Sequence, residues 1–82
     1  MRNNIKVERA KNDMTQAKLA VLAEVSRQTI NAMELSKYVP STVLALKLAK
    51  IFGKEVRELF ELEDIDWKKP WEKLMVQTLT IS

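Results

Sequence analysis

The 82-residue chain contains no cysteine and no histidine, a single glycine and two prolines. Without cysteine there can be no disulfide and no thiolate metal site, and without histidine the commonest general base and metal ligand is missing too. One glycine cannot build a glycine-rich phosphate loop, and no paired catalytic groups stand out, so enzyme chemistry is not expected. No apolar run is long enough to span a bilayer and no signal peptide is recognisable, which leaves a cytoplasmic protein as the expectation. The scarcity of glycine and proline also argues against long irregular loops, and the apolar spacing that remains is helical almost throughout. An all-α fold is expected.

Apolar residues make up 46% and charged residues 30% of the chain, a composition that folds rather than one that stays disordered. Its length allows one small domain, expected over residues 1–62, followed by a tail over 63–82. The net charge of +3 is modest, but its distribution is not even. Residues 1–40 carry seven Lys or Arg against four acids, whereas residues 41–64 carry four against five. The positive half is the half that nucleic acid prefers.

Punctuation along the chain divides it into five helices. A first helix is expected over Asn4 to Asn12, with Ile5 and the aliphatic part of Arg9 on one side, Val7 and Ala10 available for packing, and Asn12-Asp13 as its breaker. Thr15 and Ser26 are suited to cap a second and a third helix, because a side-chain oxygen there accepts a bond from an orphaned backbone N–H. Ser41 caps a fourth that runs to the natural stop at Gly53. A fifth, over Val56 to Leu62, offers Val56, Leu59 and Phe60 to close the core.

The second and third helices carry the chemistry. Within TQAKLAVLAEVSRQTINAMELSK, from Thr15 to Lys37, the apolar positions Leu19, Ala23, Val25, Ile30 and Met33 fit two short helices crossing at a tight turn, with small Ala20 at their closest approach. Glu24 falls where the chain turns, and Val25 plugs the angle. Arg27, Gln28 and Asn31, with small Ala32, are left outward on the third helix. Arginine pairs bidentately with guanine, and glutamine or asparagine with adenine, so this face suits the major groove of DNA. Thr29 can meet a phosphate or a thymine methyl group. Glu34 is read as structural, tying the end of its helix to neighbouring backbone or basic groups.

Taken together, TQAKLA, VSRQTI, the connector ELSKYVPS from Glu34 to Ser41, LALKLAKIFG and VRELF closely resemble the lambda-repressor-like (Cro/CI or Xre) helix-turn-helix regulators over about Ile5 to Leu62. The resemblance implies a five-helix DNA-binding domain that reads double-stranded DNA with the helix beginning at Arg27. It implies that Gln16 clamps a phosphate and buttresses the reading side chains, and that Lys37 contacts a phosphate. The chain departs from the family at Glu24, where a glycine usually forms the turn, and at Leu35-Ser36, where many members place glycine before the basic residue.

The tail has a different character. Pro70 suits the first turn of a helix whose one face would carry Trp71, Leu74, Met75 and Thr78, an extra core helix. Val76 to Ser82 alternates, with Leu79 and Ile81 on one side, as an exposed strand would. A lone strand in a helical chain needs a partner, which a second copy of the chain supplies; packing of the tail within its own chain and a disordered tail are the alternatives. Trp67, Trp71, Leu74, Leu79 and Ile81 are therefore the candidate dimerisation residues.

The acidic run Glu61, Glu63, Asp64 and Asp66 lacks the spacing and glycine of a calcium loop, so no metal and no cofactor is expected. The expected function is a sequence-specific transcriptional regulator, a repressor that occupies an operator as a homodimer, with no membrane partner and no evident small-molecule ligand. The competing expectation is a protein-interaction module on the same scaffold, such as an antitoxin or an adaptor.

Overall fold

Ile5, Leu19, Ile30, Met33, Leu48 and Leu59 lose all contact with solvent in the computed structural model, which describes residues 1–67. They come from five helices: α1 (Ile5–Lys11), α2 (Gln16–Ala23), α3 (Arg27–Glu34), α4 (Thr42–Phe52) and α5 (Val56–Leu59). Two short strands, β1 (Arg2–Asn3) and β2 (Phe60–Glu61), and a 3-10 turn over Asp64–Trp67 complete the described chain. Ala20, Ala23, Leu44, Ala49 and Phe52 extend the core, and Met14, Val25, Ile51, Val56 and Phe60 pack against it partly buried. Such a fold is the expected all-α, lambda-repressor-like domain with a small sheet added.

Each helix start expected from a hydroxyl cap is present. Thr15 accepts from the Lys18 N–H at 3.0 Å, Ser26 from Thr29 at 3.1 Å and Ser41 from Leu44 at 3.2 Å. The first four helices end by one device. Asp13, Glu24, Ser36 and Gly53 all adopt left-handed backbone, with φ of 50°, 60°, 59° and 64°. In each case the next N–H reaches back five residues: Met14 to the Arg9 carbonyl, Val25 to Ala20, Lys37 to Ala32 and Lys54 to Ala49, all at 2.9 or 3.0 Å. These four closures are Schellman motifs, which satisfy carbonyls the helix itself cannot. Three of them are made without the glycine that such backbone favours.

Two helices are shorter than their sequence pattern. The first spans Ile5–Lys11, with Asn4 and Asn12 as its flanking residues. Its inward positions are Ile5 and Glu8, three apart, so Val7 and Ala10 face solvent instead of packing. The fifth helix ends at Leu59 and not at Leu62, because Phe60 turns extended (φ −126°, ψ 137°) and pairs with the N-terminal strand. That pairing is antiparallel, Asn3 opposite Phe60 and Arg2 opposite Glu61, and the Asn4 N–H continues it to the Leu59 carbonyl at 2.8 Å. Hydrogen bonding to β1 replaces the helical bonds that residues 60–62 would have made.

The acidic run serves the same end of the domain. Glu61 pairs with Arg2 across the strands at 3.2 Å, while Glu63 and Asp66 each hold the Met1 amine at 3.1 Å. Trp67 closes the 3-10 turn and is exposed. The readings placed on Trp71, Leu74, Leu79 and Ile81, a helix from Pro70 and a strand over Val76 to Ser82, lie outside the described residues. Among the described residues no helix is long and apolar enough to cross a membrane.

Candidate nucleic-acid interface

Ser26 ends the turn between α2 and α3 and launches α3 with Ile30 and Met33 pointing into the core. Because a helix repeats every 3.6 residues, burying that pair leaves Arg27, Gln28 and Asn31 on the opposite side, and all three are exposed. Gln16, the first residue of α2, faces them. Gln16, Ser26, Arg27, Gln28 and Asn31 line one open concavity. A smaller adjoining hollow is lined by Arg9, Thr15, Gln16, Ala17 and Arg27.

The N-terminal turns of α2 and α3 therefore border the same surface. The first N–H groups of a helix have no intrahelical partner, and the helix dipole adds partial positive charge there. Neither first turn carries an acidic residue to cancel it. Together with the Arg27 guanidinium, this makes a surface suited to anions such as phosphate.

A partly buried network stiffens the site from behind. Arg9 of α1 donates from Nε to Glu34 Oε2 at 2.6 Å and from Nη2 to Glu34 Oε1 at 3.0 Å, and its Nη1 holds the Met14 carbonyl at 2.9 Å. The two side chains are 15% and 4% exposed, so the pair is shielded from water. Gln16 Nε2 donates both to Glu34 Oε1 and to Asn31 Oδ1, each at 3.1 Å. Burial pushes the Glu34 carboxyl up, but the hydrogen bonds from Arg9 and Gln16 and the charges of Arg9 and Lys6 outweigh that and hold it below its usual value. The same pairing raises Arg9 above its own, so both remain charged.

Of the residues singled out in the sequence, Gln16, Arg27, Gln28 and Asn31 are brought together. Thr29 is half-buried, and its hydroxyl lies 2.9 Å from that of Ser26, within the cap of α3. Lys37 stands apart from the concavity lining, exposed in the turn that closes α3. Glu34 is structural as expected, but its partner was not foreseen. That partner is Arg9, whose aliphatic part the sequence places on one side of the first helix, and nothing in a separation of 25 residues marks the two as a pair. Ser26 was legible as a cap and not as part of the lining.

Helices α2 and α3, crossing at a Schellman turn with a polar outer face, define a helix-turn-helix protein. A family model described as helix-turn-helix matches residues 5–59. The chain belongs to this Xre (Cro/CI-like) helix-turn-helix family. It is 48% identical over 64 residues to an uncharacterised HTH-type transcriptional regulator of Methanocaldococcus jannaschii, covering 78% of this chain and 97% of the relative. A Bacillus subtilis protein of the same description is 42% identical over 64 residues, with the same coverage. One from Archaeoglobus fulgidus is 41% identical over 73 residues, covering 89% of this chain and 99% of the relative.

Proposed function

We propose that the protein is a sequence-specific DNA-binding transcriptional regulator that lays α3 in the major groove. The observation that carries this reading is the concavity of Gln16, Ser26, Arg27, Gln28 and Asn31, where hydrogen-bonding side chains share a face with two helix N-termini. Arg27, Gln28 and Asn31 supply base-edge chemistry. Thr29 and Lys37 supply phosphate contacts on either side, and Gln16 ties the reading helix to α2. The relatives described as transcriptional regulators support the same role.

One such module buries little surface and touches few base pairs, so operator-level affinity calls for two copies. The proposed assembly is a homodimer that reads half-sites about 34 Å apart and represses by occupying a promoter. The dimer contact is assigned to Trp67, Trp71, Leu74, Leu79 and Ile81. An apolar groove lined by Met1, Val39, Pro40, Leu46, Val56 and Phe60 supports a contact at this end. It adjoins the 3-10 turn through Met1, whose amine is held by Glu63 and Asp66.

Selection of bound sequences from a random DNA pool at physiological salt tests both parts. A pseudo-palindromic consensus, relaxed by Gln28→Ala or Arg27→Ala, is expected. Enrichment no better than the starting pool would overturn the reading and move the function to a protein partner, as in an antitoxin or adaptor.

A further inference from the structure

We propose that Leu35 is a specificity-determining residue of the reading helix, packing against the methyl group of a thymine in the major groove about three base pairs from the position that Gln28 reads. The inference rests on the DNA-reading function above and adds to it one base position read by apolar contact.

Leu35 follows the last residue of α3, and its N–H closes the final helical bond, to the Asn31 carbonyl at 3.0 Å. The helical period therefore still sets the direction of its side chain. At about 100° per residue, Leu35 stands about 700° beyond Gln28, within about 20° of the same direction. Ile30 and Met33 point the other way, into the core. Leu35 and Gln28 are thus stacked on the outward side of α3, about 10 Å apart along its axis, which spans about three base-pair steps of about 3.4 Å.

A lone exposed leucine is ordinary on a protein surface, but this one shares the face of Gln28 and Asn31. It is 56% exposed and belongs neither to the core nor to the residues packed against it. The closure of α3 makes no demand for an apolar side chain there. That closure runs from the Lys37 N–H to the Ala32 carbonyl, and the apolar contact that accompanies a Schellman motif joins those two positions. Nor does Leu35 line the apolar groove assigned to the dimer contact.

The outward face of α3 also changes character along its length. Arg27, Gln28 and Asn31 bring hydrogen-bonding groups at its start, whereas Ala32 and Leu35 bring only carbon at its end. Glu34, the one polar side chain of that last turn, is turned inward to Arg9. In the major groove most base edges show donors and acceptors, and thymine alone adds a methyl group. An aliphatic side chain set against a donor or acceptor strips its water and returns no bond. Against a methyl group it removes apolar surface from water on both sides.

Sites are selected from a random DNA pool with the wild-type protein, and Gln28→Ala marks the base pair that Gln28 reads. Thymine is expected about three base pairs away, under the end of α3. Deoxyuridine in its place removes the methyl group alone and should weaken binding about fourfold, while 5-methylcytosine should bind about fourfold better than cytosine there. Leu35→Ala, a change at an exposed position, should abolish both differences and leave the Gln28 preference and the salt dependence unchanged. Circular dichroism confirms that this variant is folded.

Equal binding of the thymine and deoxyuridine duplexes by the wild type would overturn the proposal, as would a difference that survives in Leu35→Ala. Either result leaves the selected site, and hence the DNA-reading function, standing. Enrichment of no site at all would overturn that function and the role of Leu35 with it.

Discussion

The Arg9 guanidinium and the Glu34 carboxylate meet in two hydrogen bonds, Nε to Oε2 at 2.6 Å and Nη2 to Oε1 at 3.0 Å, joining α1 to the end of the reading helix. Breaking one side of such a shielded pair strands the other charge. We expect Arg9→Ala or Glu34→Ala to destabilise the domain by about 3 kcal/mol, measured by urea unfolding at neutral pH. The double substitution should cost less than the sum of the two single ones, because the second removes a charge that the first has already orphaned. Additive losses would show that the two groups act independently.

The same pair sets an acid limit. Glu34 titrates below its ordinary value of 4.5, so the folded state binds its proton more weakly than the unfolded chain does. The stabilisation is therefore complete above that value and is lost as pH falls through the depressed folded-state value. Urea midpoints followed from pH 7 to pH 3 should drop over the lower part of that range. The drop should be smaller in Glu34→Gln, which starts less stable at neutral pH and has no carboxylate there to protonate. An identical pH slope in the two proteins would remove Glu34 as a source of acid sensitivity.

Helix ends offer a separate test. Glu24 and Ser36 hold φ near +60° without being glycine, at a cost on the order of 1 kcal/mol each. Glycine at either position relieves that strain but frees the unfolded chain, so the net gain is expected to be a few tenths of a kcal/mol. Gly53→Ala should lose about 1 kcal/mol. No atom lies within 4 Å of the added methyl group, so the loss is purely backbone strain. Thermal unfolding of the three variants reads both signs. A stabilising Gly53→Ala would mean that the left-handed residue there is not under strain.

These details separate what was legible in the sequence from what was not. Thr15, Ser26 and Ser41 act on backbone three residues away, so local reading finds them, and the polar outer face of α3 follows from its own period once Ile30 and Met33 are taken as core. Family resemblance added Gln16 and showed that Glu24, already placed in the turn by the two flanking caps, stands where a glycine is usual. The β1–β2 pairing escaped, because two-residue strands have no period and Arg2 lies 59 residues from Glu61. That Gln16 braces a reading side chain was implied by the resemblance, but its anchoring through Glu34 to Arg9 escaped for the same reason. The three residues lie on three helices, and the direction of the Gln16 amide is decided only when the carboxylate is in place.

Phosphate and base contacts on the proposed interface are separable by salt. A cation that neutralises one phosphate releases condensed counterions, so its removal lowers the slope of log affinity against log salt by roughly 0.9. Lys37→Ala, placed in the turn beyond the concavity, should show that change and weaken all sequences alike. Gln28→Ala removes no charge. It should leave the slope as it is and cost about 1–3 kcal/mol on the preferred site only, flattening the preference at one base pair. Arg27→Ala distinguishes its two possible roles by which pattern it follows: a reduced slope marks a phosphate contact, and a relaxed guanine position marks base reading. Fluorescence anisotropy titrations at four salt concentrations, on the selected site and on a scrambled duplex, measure both quantities at once. If none of the three substitutions alters either the slope or the preference, α3 is not the element that meets DNA.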